Sequence, residues 1–354
     1  EAVVVAVKLK IHTNDNVFDA ALNRIRFIFD EFDEVVVSFS GGKDSTVTLN
    51  LALKIAEEKG RLPLKVMFLD QEAEWQNVVD YVRTVMLDPR VEPWWFQVPI
   101  KMTNSTSNEQ HYLHCWTEGD DENWMRPKEE FAIKENIYGK DRFYEMFPAI
   151  MKHHWPDTPM AVLAGVRAEE SPARLAGLTT AATYKYITWG KKVNKKENHY
   201  NFYPLYDWSY TDIWKSIFDH NWKYAKAYDY FYQYGVSPTK MRVSNLHHET
   251  AVHQLFYLQE IERDTWNKLV KRLDGVNQAR HMTKADMFQA KSLPYMFKDW
   301  REYRDHLLVN LVTDPAYQEA MRKKFAQMDD KYSMLRDMSK LHKVHVTTIL
   351  AQDI

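Results

Sequence analysis

A β-branched run, Val35-Val36-Val37-Ser38-Phe39, leads directly into Ser40-Gly41-Gly42-Lys43-Asp44-Ser45, and a helical stretch follows from about residue 45 to 59. Gly60 and Pro63 close that helix, and residues 64–69 read as a second strand ending on Asp70. Strand, glycine turn, helix and strand make a βαβ unit, which implies two parallel strands joined by a right-handed crossover. An α/β fold with a parallel sheet is therefore expected.

The loop within this unit has the makings of an anion site. Paired glycines let the backbone bend so that successive N–H groups face one pocket, and the helix that follows directs the positive end of its dipole there. Lys43 adds a full charge, Ser40 and Ser45 offer hydroxyls, and Asp44 is a candidate to orient the loop or hold a cation. The competing explanation is a plain strand-to-helix turn with Asp44 or Ser45 as N-cap, since Gly, Asp and Ser are common in turns. The loop departs from the Walker A pattern, whose first glycine and final Ser/Thr positions are occupied by Val37 and Asp44. A Gly-x-Gly-x-x-Gly dinucleotide fingerprint is absent too.

Further along, residues 17–32 carry Phe18, Ala21, Leu22, Ile25 and Phe29 at helical spacing. A helix over 75–86 and strands over 94–98 and 160–166 are expected, separated by a stretch of about 100–136 without regular periodicity that reads as an insertion or a cover. After Trp208 the periodicity is helical, with segments over 213–218, 228–234, 251–273 and 316–338.

Three later segments join the loop in resembling a known group of proteins. They are Phe68-Leu69-Asp70-Gln71-Glu72, Gly165-Val166-Arg167-Ala168-Glu169-Glu170-Ser171-Pro172-Ala173-Arg174, and Tyr203-Pro204-Leu205-Tyr206-Asp207-Trp208-Ser209-Tyr210-Thr211-Asp212-Ile213-Trp214. Together they resemble the PP-loop ATP pyrophosphatase superfamily, in its branch of phosphoadenosine phosphosulfate (PAPS) reductases and ATP sulfurylase small subunits. The resemblance implies an adenine nucleotide alpha hydrolase-like (Rossmann-like) parallel sheet flanked by helices. It covers roughly residues 15–220, with a mainly helical C-terminal region over 221–354. ATP or PAPS is the implied ligand, with Mg²⁺ near Asp44 and Asp70. Lys43, Asp44, Arg167 and Arg174 are the implied catalytic residues, the two arginines facing the distal phosphate or the sulfate; guanidinium groups suit such anions. Ser40, Gly41, Gly42, Ser45, Asp70, Glu170, Ser171 and Asp212 complete the implied nucleotide site. The subgroup resembles regulators encoded beside a ParB/sulfiredoxin-like protein, which becomes the implied protein partner.

PAPS reductases also share a C-terminal Glu-Cys-Gly-Leu-His segment that this sequence lacks. Its single cysteine, Cys115, lies in the irregular stretch, and one cysteine permits neither a Cys-x-x-Cys iron–sulfur set nor an internal disulfide. Neither His111/His114/Cys115 nor His247/His248/His253 matches a zinc motif, so no zinc is expected. What remains is α-phosphate chemistry (adenylyl transfer with pyrophosphate release), phosphosulfate handling, or a non-catalytic nucleotide-sensing subunit.

Composition narrows the setting. With 45% hydrophobic and 14% aromatic residues the chain has a sizeable core, and a net charge of −2 gives no general pull toward nucleic acid or anionic membranes. The basic run Lys191, Lys192, Lys195 and Lys196 reads as a solvated face or a cover for an anion. The apolar run at residues 2–7 is too short to cross a bilayer, so a cytoplasmic location is expected and an oligomer is left open.

Overall fold

The computed structural model describes residues 13–107, 109–179, 183–193, 196–243, 245–247, 254–276, 293–294, 296–312, 314–335 and 337–351. The run at 2–7, Lys195, His248 and His253 lie outside these. Two compact units divide the chain, Glu1–Met102 with His114–Asn245, and Thr103–Leu113 with Leu246–Ile354.

The first unit opens with α1 (Val17–Glu31), whose N-cap Asn16 accepts the Asp19 amide and whose apolar stripe buries Ala21, Leu22, Ile25, Ile28 and Phe29. Next come β1 (Glu34–Ser38), α2 (Lys43–Glu58), β2 (Leu64–Leu69), α3 (Gln76–Met86) and β3 (Val91–Phe96). β3 starts earlier than the apolar pattern indicates, because Glu92 and Pro93 interrupt that pattern. Proline is tolerated there since β3 is the last strand of the sheet, and on the side away from β2 it makes only an isolated bridge from Phe96 to Ile133, past Pro93. Within the stretch lacking periodicity, β4 (Ile100–Thr103) and β5 (Tyr112–Cys115) form a separate two-stranded sheet. α4 (Phe143–His154) follows, with Pro148 inside it. Then come β6 (Met160–Ala164), α5 (Pro172–Thr179), β7 (Gly190–Lys192), β8 (His199–Phe202), α6 (Tyr210–Asp219) and α7 (Ala227–Gln233).

The main sheet has the order β3-β2-β1-β6-β8-β7, parallel throughout except for β7. The chain builds outward from β1 to β3 and returns to β1's other side as β6, in register from Glu34↔Met160 to Ser38↔Ala164. That reversal makes the carboxyl ends of β1 and β6 the topological switch point of the sheet, the position where open α/β sheets take ligands. β1 and β6 are nearly all apolar and buried, as expected for strands covered on both faces.

The second unit contains α8 (Leu255–Ile261), α9 (Arg263–Arg272), α10 (Trp300–Asn310), α11 (Pro315–Lys331) and α12 (Ser339–Ala351). The single helix read over 251–273 is two, because Glu262 leaves helical geometry at φ −130° and ψ 73°. Leu308, Val312, Met321, Phe325 and Ile349 form this unit's core. No helix among the described residues is long and apolar enough to cross a membrane.

Beside that core lies a buried polar knot. Arg304 donates to Asp329 at 2.8 Å and to Nδ1 of His345 at 3.4 Å, while His342 Nε2 lies 3.3 Å from Asp329. His345 is fully buried and stacked on Phe325, and burial pushes its imidazole down to about 4. A guanidinium only donates, so Nδ1 of His345 must accept, which requires the neutral ring. Stability from this arrangement is complete above the unfolded-state value near 6.5 and drains away as pH falls toward 4, by about 3 kcal/mol at the low end. Melting curves should show the helical unit losing stability between pH 6.5 and 4, with His345→Leu flattening that slope.

Candidate phosphate-binding site

The glycine loop turns between β1 and α2. Gly41 has φ +71°, and a Cβ there would meet Val78 at 2.7 Å, so both backbone and space call for glycine. Gly42 is the N-cap of α2 and has no side chain to cap it. The hydroxyls brace the turn from within: Ser45 Oγ donates to the Gly42 carbonyl at 2.9 Å and accepts the Ser40 amide at 3.3 Å, while Ser40 Oγ accepts the Gly42 amide at 3.4 Å. Asp44 and Ser45 stand in the first turn of α2, inside the helix rather than at its cap, so neither is the N-cap of a plain turn.

β6 brings the second motif to this loop. At the end of the strand a Cβ on Gly165 would lie 2.7 Å from the Asp44 carbonyl carbon and from the Ser45 nitrogen, so the two backbones are in contact. Two residues on, buried Arg167 donates through Nε to Asp44. Its Nη1 reaches Glu169 at 3.3 Å and the Trp208 carbonyl at 3.4 Å, and its Nη2 lies 4.0 Å from Glu170. Arg174 lies 3.4 Å from Glu170 and is half exposed. Ser171 Oγ accepts the Arg174 amide at 3.2 Å, at the start of α5. Burial, reinforced by the Asp44 charge, holds the Glu170 carboxyl above the usual carboxylate range.

Lys43 is 5% exposed and lies under protein. Its ammonium pairs with Asp44 at 3.1 Å and reaches the Met241 carbonyl at 3.4 Å, and its amide donates to the Tyr228 hydroxyl at 3.0 Å. Tyr228 and Met241 have no signal in the sequence, because each is nearly 200 residues away and of a type that usually fills cores.

Two expected site residues do other work. Asp70 is fully buried at the end of β2, where its oxygens accept from Arg126, from Trp95 and Gln97 at 2.9 Å, and from the Glu72 amide at 2.9 Å. Asp212 forms a reciprocal capping box with Ser209 at the start of α6, holding the Ser209 amide at 2.7 Å. Ser-x-x-Asp is a capping-box spacing, the signal in the sequence that points to this role. The oxygens of Asp44 and Asp70 are thus all engaged by protein donors, and no cluster of three or more His, Cys, Asp or Glu among the described residues could hold a metal ion. The residues as arranged do not fit a protein-held Mg²⁺.

Cys115 is buried on β5, its thiol donating to the Gln71 carbonyl at 3.2 Å. With Lys101, His114, Glu118, Asn136 and Asp141 it lines a cavity of about 500 Å³, to which the loop residues 40–45 do not contribute.

Residues 34–234 match the phosphoadenosine phosphosulfate reductase domain. The chain belongs to this family. Residues 235–341 match a domain of unknown function, DUF3440. Among relatives, the uncharacterized protein YbdN of Escherichia coli is 29% identical over 302 residues, covering 81% of this chain and 73% of that one. Sulfate adenylyltransferase subunit 2 of Aliivibrio fischeri is 24% identical, covering 59% of this chain, which spans 64% of that subunit's length. Solved structures with some likeness include the Candida glabrata FMN adenylyltransferase, with TM-score 0.39, 17% identity and 63% of each chain covered. The PAPS reductase of Candida auris gives TM-score 0.38 at 13% identity, over 68% of this chain and 98% of that one.

Two outcomes follow from the geometry. Asp212→Ala should cost about 1 kcal/mol in chemical denaturation, the weight of a helix cap, and leave nucleotide affinity unchanged in calorimetry. Buried Glu74, beside Asp70, has its carboxyl pushed up to about 8 by burial and by the Asp70 charge. Such a raised carboxyl stabilises below its unfolded value near 4.5 and loses that contribution as pH rises through 8. Glu74→Gln should therefore raise the melting temperature at pH 8 and do little at pH 5.

Proposed function

We propose that the chain binds ATP or a phosphosulfate adenine nucleotide at the loop and acts on its α-phosphate. The observation that carries this reading is the meeting of Lys43 and Arg167 on Asp44 at the switch point between β1 and β6, within a PAPS reductase-family domain. The relatives named as sulfate adenylyltransferase subunits support adenylyl transfer over reduction. So does the enclosure of Cys115, whose thiol is buried and spent on the Gln71 carbonyl.

In adenylyl transfer an acceptor oxyanion forms a bond to the α-phosphorus while the bridging oxygen leaves with pyrophosphate. No covalent protein intermediate is needed. Catalysis rests on alignment and on neutralising the charge that moves onto the leaving group. Gly41 and Gly42 shape the loop, the Asp44 and Ser45 amides at the start of α2 and the Lys43 ammonium face the phosphates, and Arg174 meets the distal anion. Ser40, Ser45 and Ser171 brace this frame, and Glu170 keeps Arg174 in position. Asp44 orients Lys43 and Arg167.

A second reading has its own support. Lys43 is already engaged by Tyr228 and Met241, as suits a nucleotide-sensing subunit whose ligand changes its dealings with a partner such as a ParB/sulfiredoxin-like protein. Pyrophosphate release from ATP, assayed with and without that partner, separates catalysis from sensing.

Arg174 is the informative residue, because its side chain is half exposed and its loss leaves the core intact. Arg174→Ala should weaken ATP and PAPS binding roughly ten- to a hundredfold and leave AMP binding nearly unchanged, since AMP lacks the distal anion. Equal losses for all three ligands in calorimetry would remove Arg174 from the distal anion site.

A further inference from the structure

Residues 223–243 make a chain of contacts around the phosphate loop. The Lys223 carbonyl accepts from Tyr81 at 2.9 Å, and the Ala227 amide donates to Asn77 at 2.9 Å. Tyr228, 3% exposed, aims its hydroxyl at the Lys43 amide, and its ring lies 5.6 Å from the Lys43 ammonium. Phe231 packs edge-on against Trp75 at 5.2 Å. Beyond α7 the Met241 carbonyl takes the Lys43 ammonium, Arg242 donates to the Glu170 carbonyl at 3.1 Å, and Val243 lies 3.7 Å from where a Gly42 side chain would begin.

Two of these groups stand where an anion would. In a loop of this kind phosphate oxygens accept from the backbone amides at the helix start and from the lysine. Here a phenol oxygen accepts the Lys43 amide and a peptide oxygen accepts its ammonium. Both substitutes are neutral acceptors, and a phosphate oxygen makes the stronger, charge-assisted bond. The family boundary falls at residues 234 and 235, whereas the first compact unit runs to Asn245. The tract 241–243 therefore belongs by sequence to the C-terminal family segment and by packing to the loop.

We infer that residues 223–243 form a strap whose Tyr228 hydroxyl and Met241 carbonyl take the phosphate-binding groups of Lys43, so that nucleotide phosphates and the strap compete for Lys43. This rests on the nucleotide reading above, and it gives the C-terminal segment a means of sensing the ligand. Displacing Tyr228 and Met241 by phosphate releases the stretch of chain that leads into the second unit.

The test is hydrogen exchange across residues 223–243 in the full chain, free and with ATP, together with ATP calorimetry on wild type and Tyr228→Phe. The phenylalanine keeps the ring against Trp214 and Lys43 and deletes only the competing acceptor. Expected are faster exchange over 228–243 when ATP is added, faster exchange in free Tyr228→Phe, and ATP affinity raised roughly fivefold, the weight of one neutral hydrogen bond. ATP that binds while slowing exchange, or a Tyr228→Phe affinity equal to or below wild type, would overturn the strap and leave nucleotide binding standing. Failure of both proteins to bind ATP, with exchange still faster in Tyr228→Phe, would overturn nucleotide binding and with it the competition, and would leave only a structural contact.

Discussion

The parallel pairing of β1 with β6 is the constraint from which the site follows. It holds Gly165 so close to the backbone of Asp44 and Ser45 that no side chain fits between them. From that contact Arg167 reaches Asp44, and through Arg167 the Glu169 carboxylate and the Trp208 carbonyl are drawn to the same place. Segments more than a hundred residues apart become one site because two strands share a hydrogen-bond ladder. A shift of the register would separate glycine from loop and arginine from aspartate together.

Around the loop the charges are largely matched within the protein. Lys43 and Arg167 meet on Asp44, and Arg174 meets the Glu170 carboxylate, while Arg242 donates to the Glu170 main-chain carbonyl. Buried ions left without partners would cost several kcal/mol each, so Asp44 holds the buried Lys43 and Arg167 in place. The same logic governs the end of β2. There Asp70, Arg126, Glu72 and the Trp116 amide form a closed network whose members hold Glu72 and Trp116 at φ values of +62° and +55°. Holding ordinary side chains in that region requires firm surroundings, and the network provides them.

The βαβ start, the loop, and the strand that ends at Gly165 were legible because each depends on local pattern: β-branched runs, paired glycines, apolar periodicity. Less visible were α4, whose Pro148 interrupts a helical reading, and the short β7 and β8, which carry few apolar residues. Asp70 and Asp212 illustrate the limit for sites. A carboxylate at a strand end or within a motif reads alike whether it faces a ligand or is consumed by protein donors. Burial and partners separate the two, and here four protein donors meet Asp70 and Asp212 closes a capping box.

By itself the sequence determined the fold class and the location of the anion loop, since a strand, two glycines and a helix start are bonded neighbours whose geometry follows from local sterics. It determined as well that sulfur chemistry would have at most one thiol to use, a matter of counting. Tertiary structure alone decided which charges meet. Lys43, which reads as a solvent-facing loop residue, is buried under Tyr228 and Met241, and Arg167 is engaged by Asp44. Those partners lie more than a hundred residues apart along the chain, and only the order of strands in the sheet and the path of the segment beyond α7 bring them within hydrogen-bonding distance.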